Sequence, residues 1–132
     1  MRGISVGDVT GDGLNDLVAY SGGIGICVLS QNNLSSLNSP TCYPTANGTG
    51  AIAVADINGD GRNDVVLVHD GWMEPGIYYQ AADGTLLPET PYPIPYGVDS
   101  PQSLAIGDIN NDGKDDIVTL DRYKGRVVIY DK

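Results

Sequence analysis

Short apolar runs alternate along the whole chain with clusters of Gly, Asp, Asn and Pro, and none of them carries the three-and-four spacing of an amphipathic helix. In the middle of the chain the runs read AIAVAD (51–56), DVVLVHD (64–70), GIYYQA (76–81) and ETPYPI (89–94). Each is bounded by turn-forming residues, so the pattern predicts four strands joined as an antiparallel sheet. Upstream the same four appear as ISVGD, DLVAYS, IGICVLS and SPTCYPT. Downstream only three appear, SLAIGD, DIVTLD and RVVIYD. The fold class read from this pattern is all-β.

The runs repeat as units. GISVGDVTGDGLNDLVAYSGG (3–23), AIAVADINGDGRNDVVLVHDG (51–71) and SLAIGDINNDGKDDIVTLDRY (103–123) align, with first aspartates at 8, 56 and 108, spaced 48 and 52 apart. A period of this size built only from strands indicates radial or stacked repetition, in which each unit hides its apolar face against a neighbour. Propeller blades have about this length. The chain therefore reads as one β-propeller segment over 1–132, with blades at about 3–46, 50–95 and 102–132, the last lacking its outer strand. Gly7, Ala51, Ala53, Ala55, Ala105 and Gly107 place small residues in the first strand of every unit. Small side chains suit strands crowded around an axis, so this strand is expected to be innermost.

Charge narrows the partners. The chain holds 17 acidic against seven basic residues, for a formal charge of −10. That balance disfavours nucleic acid and anionic membrane surfaces. Asp8, Asp12, Asp16, Asp56, Asp60, Asp64, Asp108, Asp112, Asp115 and Asp116 fall in three short loops, so most of the charge is local. No stretch reaches the ~18 apolar residues that span a bilayer, and no membrane insertion is expected. Cys27 and Cys42 lie in adjacent predicted strands. Joined, they would stabilise the hairpin by about 3 kcal/mol in the chain-entropy model; left reduced, they would be two buried thiols.

The loops are DVTGDGLND (8–16), DINGDGRND (56–64) and DINNDGKDD (108–116), all of the form D-x-[NT]-x-D-G-x-[ND]-D. A hard cation of calcium's size takes about six to eight oxygens from carboxylates, amides, backbone carbonyls and water. Alternating positions in a tight turn can supply them together. The first set is Asp8, Thr10, Asp12, Asp16 and the carbonyl of Leu14, and Thr10 makes it the weakest. The second is Asp56, Asn58, Asp60, Asp64 and the carbonyl of Arg62. The third is Asp108, Asn110, Asp112, Asp116 and the carbonyl of Lys114. Asn63 and Asp115 are expected to face outward. An EF-hand is excluded, because Ala19, Leu67 and Thr119 stand where its bidentate Glu belongs. Zinc is disfavoured by the absence of Cys and His in the loops, magnesium by its preference for retained water. The plain alternative is three Asp/Asn/Gly turns that only link strands.

These loops, each between an apolar strand ending in Gly-Asp or Ala-Asp and a strand opening with Asp and aliphatic residues, resemble the FG-GAP or VCBS repeats of integrin α-subunit propellers and bacterial secreted proteins. The resemblance implies that three structural Ca2+ ions sit at the corners between first and second strands, on the lower face. It also implies that ligands meet the upper face or its side, and that a complete propeller has about seven blades. Only Met1, Arg2 and Gly3 precede the first strand, so closure within the chain is not expected. The strand at 126–131 is left with an open edge, which predicts homo-oligomer formation by strand pairing in trans.

The upper-face loops would be 21–23, 46–50, 70–75, 95–102 and 121–125, grouping Trp72, Tyr96, Arg122, Tyr123 and Lys124. Such side chains suit a sugar ring or an acidic peptide, although ordinary loop packing explains them too. His69 beside Asp70 is expected to be structural, not half of a catalytic set. Asn33-Leu-Ser35 and Asn47-Gly-Thr49 match the glycosylation acceptor pattern, which occurs often by chance. The expected function is a non-enzymatic, calcium-binding, secreted or cell-surface module for protein or carbohydrate binding. The alternative is an accessory segment of a larger secreted enzyme, and a hydrolase using paired aspartates is a distant third.

Overall fold

The computed structural model describes residues 3–69, 74–92, 103–121 and 125–130. These residues form three antiparallel sheets and no helix, so none crosses a membrane as a helix. The first sheet runs β1 (Ile4–Gly7), β2 (Asp16–Ser21), β3 (Gly25–Leu29) and β4 (Thr41–Tyr43), in that spatial order. The second repeats it with β5 (Thr49–Ala55), β6 (Asp64–His69), β7 (Gly76–Tyr78) and β8 (Thr90–Pro91). The third contains β9 (Leu104–Gly107), β10 (Asp116–Asp121) and β11 (Arg126–Tyr130), with β10 central. Every predicted strand is present within the described residues. The fourth strand of the first sheet is shorter than the apolar pattern suggests, because Pro40 and Pro44 beside it lack the N–H that would extend the ladder.

Register fixes two faces for each sheet. Ile4 pairs with Ala19 and Val6 with Leu17, whereas Ser5 pairs with Val18 and Gly7 with Asp16. The second sheet repeats this register, with Ile52 opposite Leu67, Val54 opposite Val65 and Ala53 opposite Val66. One core lies between the first two sheets, where Val18, Ile26 and Val28 meet Ile52, Val65, Leu67 and Tyr78. The other lies between the second and third, where Ile57, Val66 and Ile77 meet Ile117 with Leu104 and Ile106. The middle sheet is therefore covered on both sides, and every residue of β6 is buried. That is why DVVLVH reads as a continuous apolar run, not an alternating one.

The first strands of successive sheets are neighbours, β1 beside β5 and β5 beside β9, as expected for innermost strands. A Cβ on Gly7 would lie 2.5 Å from Val54 Cγ1, and one on Gly3 would lie 2.7 Å from Ile52 Cγ1. The absence of a side chain at these positions is what lets β5 approach so closely. Cys27 and Cys42 are directly opposite in register and are joined as a disulfide between β3 and β4, which settles the alternative the sequence left open.

Candidate metal centres at the strand corners

All three acidic loops join the first strand of a sheet to the second, and they share a core of internal hydrogen bonds. The opening aspartate accepts from the turn that follows it. Asp8 takes Gly11 N at 2.7 Å and Gly13 N at 2.9 Å, Asp56 takes Gly59 N and Gly61 N at 2.8 Å each, and Asp108 takes Gly113 N at 2.8 Å. The fifth residue of each loop accepts from the seventh, Asp12 from Leu14 N, Asp60 from Arg62 N and Asp112 from Lys114 N. Asn58 and Asn110 accept from the amides of Asp60 and Asp112. The turn needs a left-handed backbone at its fourth and sixth positions: Gly11 and Gly13, Gly59 and Gly61, Asn111 and Gly113 all have positive φ. Asparagine is the non-glycine residue that best tolerates this conformation. The fourth-position requirement is visible in the sequence as Gly, Gly, Asn.

The ninth residue differs from the others. Asp16, Asp64 and Asp116 are buried and form the first residue of β2, β6 and β10. One oxygen accepts the amide of the second loop residue, Val9, Ile57 or Ile109. In the first two sheets the other oxygen reaches across to the second residue after the third strand, Gln31 N at 3.0 Å and Gln80 N at 2.9 Å. These aspartates therefore fasten the corner to the rest of the sheet. Burial pushes the Asp64 acid up, and the amides of Gln80 and Ile57 oppose that. Gln31 and Gln80 were not singled out from the sequence. Their equal placement after the third strand was the available signal.

Within the second loop Arg62 does more than offer a carbonyl. Its guanidinium binds Asp60 Oδ2 at 2.6 Å and its Nε donates to Gln80 O at 3.2 Å. The Asp60 acid is held below its ordinary value, first by the Arg62 amide, with Asn58 and the Arg62 charge assisting. Among the described residues, no three Asp, Glu, His or Cys side chains are drawn into one tight cluster; the carboxylates of each loop are spread over its amides. The Thr10 hydroxyl is buried without a hydrogen-bond partner. Asp8, Thr10, Gly61 and Arg62 border one open cleft of about 410 Å3, so the first two loops share a side of the molecule.

The far end of β6 carries the opposite kind of cluster. His69 Nδ1 is 2.8 Å from Glu74 O, and Nε2 is 2.6 Å from Glu89 Oε1. A carbonyl and an ionised carboxylate only accept, so the arrangement favours a His69 ring that carries protons on both nitrogens. Burial alone would push its pKa down, but the Glu89 hydrogen bond and the Glu74 carbonyl outweigh that and raise it. Glu89 shows the converse: burial raises it, and the hydrogen bonds from His69 and Ala46 N bring it below the ordinary value. Tyr78, pushed up by burial, donates to Pro44 O at 2.7 Å. The cluster pins the link between the first two sheets to the second one. The partner of His69 is Glu89, twenty positions on, while Asp70 lies outside the described residues. So do Trp72, Tyr96, Arg122, Tyr123 and Lys124. Asn33 and Asn47 are exposed, whereas Thr49, which completes the second acceptor pattern, is buried at the start of β5.

Repeated antiparallel sheets, two of them four-stranded, packed face to face with their first strands adjacent and an Asp-rich corner in each, are blades of the β-propeller type. The model of the FG-GAP-like repeat matches residues 8–67 and again 56–119, and the chain belongs to that repeat family. None of the curated proteins compared with the chain matches it.

Proposed function

We propose that the chain is a non-enzymatic, extracellular binding module whose corners are stiffened by Ca2+, leaving the opposite side to meet a protein or glycan. The observation that carries this reading is the same nine-residue turn built three times from oxygen donors. Asp8, Thr10, Asp12 and Asp16, then Asp56, Asn58, Asp60 and Asp64, then Asp108, Asn110, Asp112 and Asp116 would hold the ions, with the carbonyls of Leu14, Arg62 and Lys114. The donor set fits a hard cation, because a carboxylate oxygen that accepts one amide keeps a second lone pair. The partnerless Thr10 hydroxyl fits as well. The ion would supply charge, cancelling repulsion among three aspartates and drawing the spread carboxylates together.

The disulfide supports an oxidising compartment. A binding role accords with the engagement of His69 at both nitrogens and of the aspartates by backbone amides, which occupies the groups a hydrolase would use. Calorimetric titration with Ca2+, beside thermal unfolding in Ca2+ and in chelator, tests the reading. Saturation to about a hundredfold over Kd should add about 2.7 kcal/mol for one site. Absence of heat together with an unmoved Tm would overturn it. A protein and glycan binding screen in the same two conditions then identifies the ligand class.

A further inference from the structure

An asparagine or aspartate followed by glycine can modify its own backbone, because glycine has no side chain to shield its nitrogen from the side-chain carbonyl of the residue before it. Among the described residues such pairs stand at 12–13, 47–48, 58–59, 60–61, 83–84 and 112–113. In all but one of them the glycine N–H is committed elsewhere. Gly13 N donates to Asp8 Oδ2 at 2.9 Å, and Gly59 N and Gly61 N donate to the two oxygens of Asp56 at 2.8 Å each. Gly84 N donates to Ala81 O at 3.0 Å and Gly113 N to Asp108 Oδ2 at 2.8 Å. Gly48 N is the exception: it donates to Oδ1 of Asn47, its own predecessor, at 2.8 Å.

Two of these pairs begin with asparagine, at Asn47 and Asn58, and both side chains are exposed. Both face water, so orientation is what separates them. Asn58 points forward along its loop, where its Oδ1 accepts Asp60 N at 3.1 Å and its Nδ2 donates to Asp60 Oδ2 at 3.2 Å. The side-chain carbonyl of Asn47 instead lies over the next peptide nitrogen. This turn is held from both sides. Glu89 Oε2 accepts Ala46 N at 2.7 Å, Thr45 Oγ1 donates to Asn47 O at 3.2 Å, and Thr49 is buried at the start of β5. A reacting pair already fixed in contact needs little further ordering.

We infer that Asn47 is a self-modifying residue, deamidated by the backbone nitrogen of Gly48. Gly48 N gives its proton to water or hydroxide and bonds to Cγ of Asn47. The bond from Cγ to Nδ2 breaks, and the nitrogen takes up a proton from water and leaves as ammonia. Water then opens the succinimide ring at either carbonyl. One product is aspartate; the other is isoaspartate, whose backbone runs through an extra methylene. Either product puts a carboxylate beside the Ala46 amide that Glu89 holds, in the link between the first two sheets. Either also lacks the amide that Asn47-Gly-Thr49 would need as a glycan acceptor.

Ageing of the folded chain in chelator at mildly alkaline pH, followed by peptide mapping and mass spectrometry, tests this without reliance on bound Ca2+. Circular dichroism checks that the chain stays folded, and a parallel sample in Ca2+ serves if chelator unfolds it. Asn47 should convert to a mixture of aspartate and isoaspartate, with Asn58 slower by on the order of a hundredfold, the factor lost when reacting groups are held out of line. In urea the two should convert at similar rates, because the bonds that restrain Asn58 are gone. Asn47→Gln should leave the link unmodified through the same ageing. A folded chain in which Asn58 lags by less than about tenfold, one step of 1.36 kcal/mol in barrier, or a lag of the same size in urea, would overturn the inference.

Discussion

Replacing Glu89 with Gln keeps the shape of the side chain and removes one charge of a buried pair. His69 would then be held as an imidazolium, 2% exposed, against a neutral amide, or would have to lose its proton. Removing one partner of a buried pair costs about 3–5 kcal/mol, because the remaining charge stays desolvated. For a domain of this size that corresponds to a Tm lower by on the order of 10–20 °C. The pH dependence is the sharper signature. His69 has its folded pKa raised above 6.5, so its share of stability is fully present below pH 6.5 and fades as pH rises through the raised value. Glu89 has its folded pKa lowered below 4.5, so its share is present above pH 4.5 and fades as pH falls through the lowered value. The gap between wild type and Glu89→Gln should therefore be widest between these two limits and narrow on either side. Urea unfolding followed by circular dichroism at several pH values measures it. A gap under about 1 kcal/mol near pH 5.5, the net worth of an ordinary hydrogen bond, or one that does not shrink toward pH 9, would refute the argument.

Two substitutions probe the corners. Asp64→Asn leaves one oxygen where two now accept Ile57 N and Gln80 N, and should cost about 1–3 kcal/mol, the penalty of a buried unpaired amide, read by chemical unfolding; an equal change at exposed Asp12 should cost far less without Ca2+. Arg62→Leu frees Asp60 Oδ2 from the guanidinium, so the second loop should bind Ca2+ more tightly in calorimetric titration, while the first and third stay as they were.

The strand pattern was legible because its cause is local. Alternation and β-branched runs set strands, and Gly, Asp and Pro set their ends, so β1 to β11 fall where the apolar runs lie. Proline trimmed β4, again a property of the residue itself. The loops were legible for the same reason, since their geometry is made by hydrogen bonds within nine residues. Even there the unequal roles were hidden: Asp16 and Asp64 anchor the corner by reaching Gln31 and Gln80 fifteen or sixteen positions away, and nothing within the loop distinguishes them from Asp8 or Asp56.

What the sequence determined by itself was the repeating unit, the all-β class and the chemistry of the corners, because each depends on neighbours in the chain. Only the tertiary structure decided that His69 is paired with Glu89, that Cys27 faces Cys42, and that Ile52 is covered while Ile4 is bare. Those properties depend on which surfaces meet in space. Two residues with the same letter and the same local setting differ entirely in burial when one has a sheet beside it and the other does not.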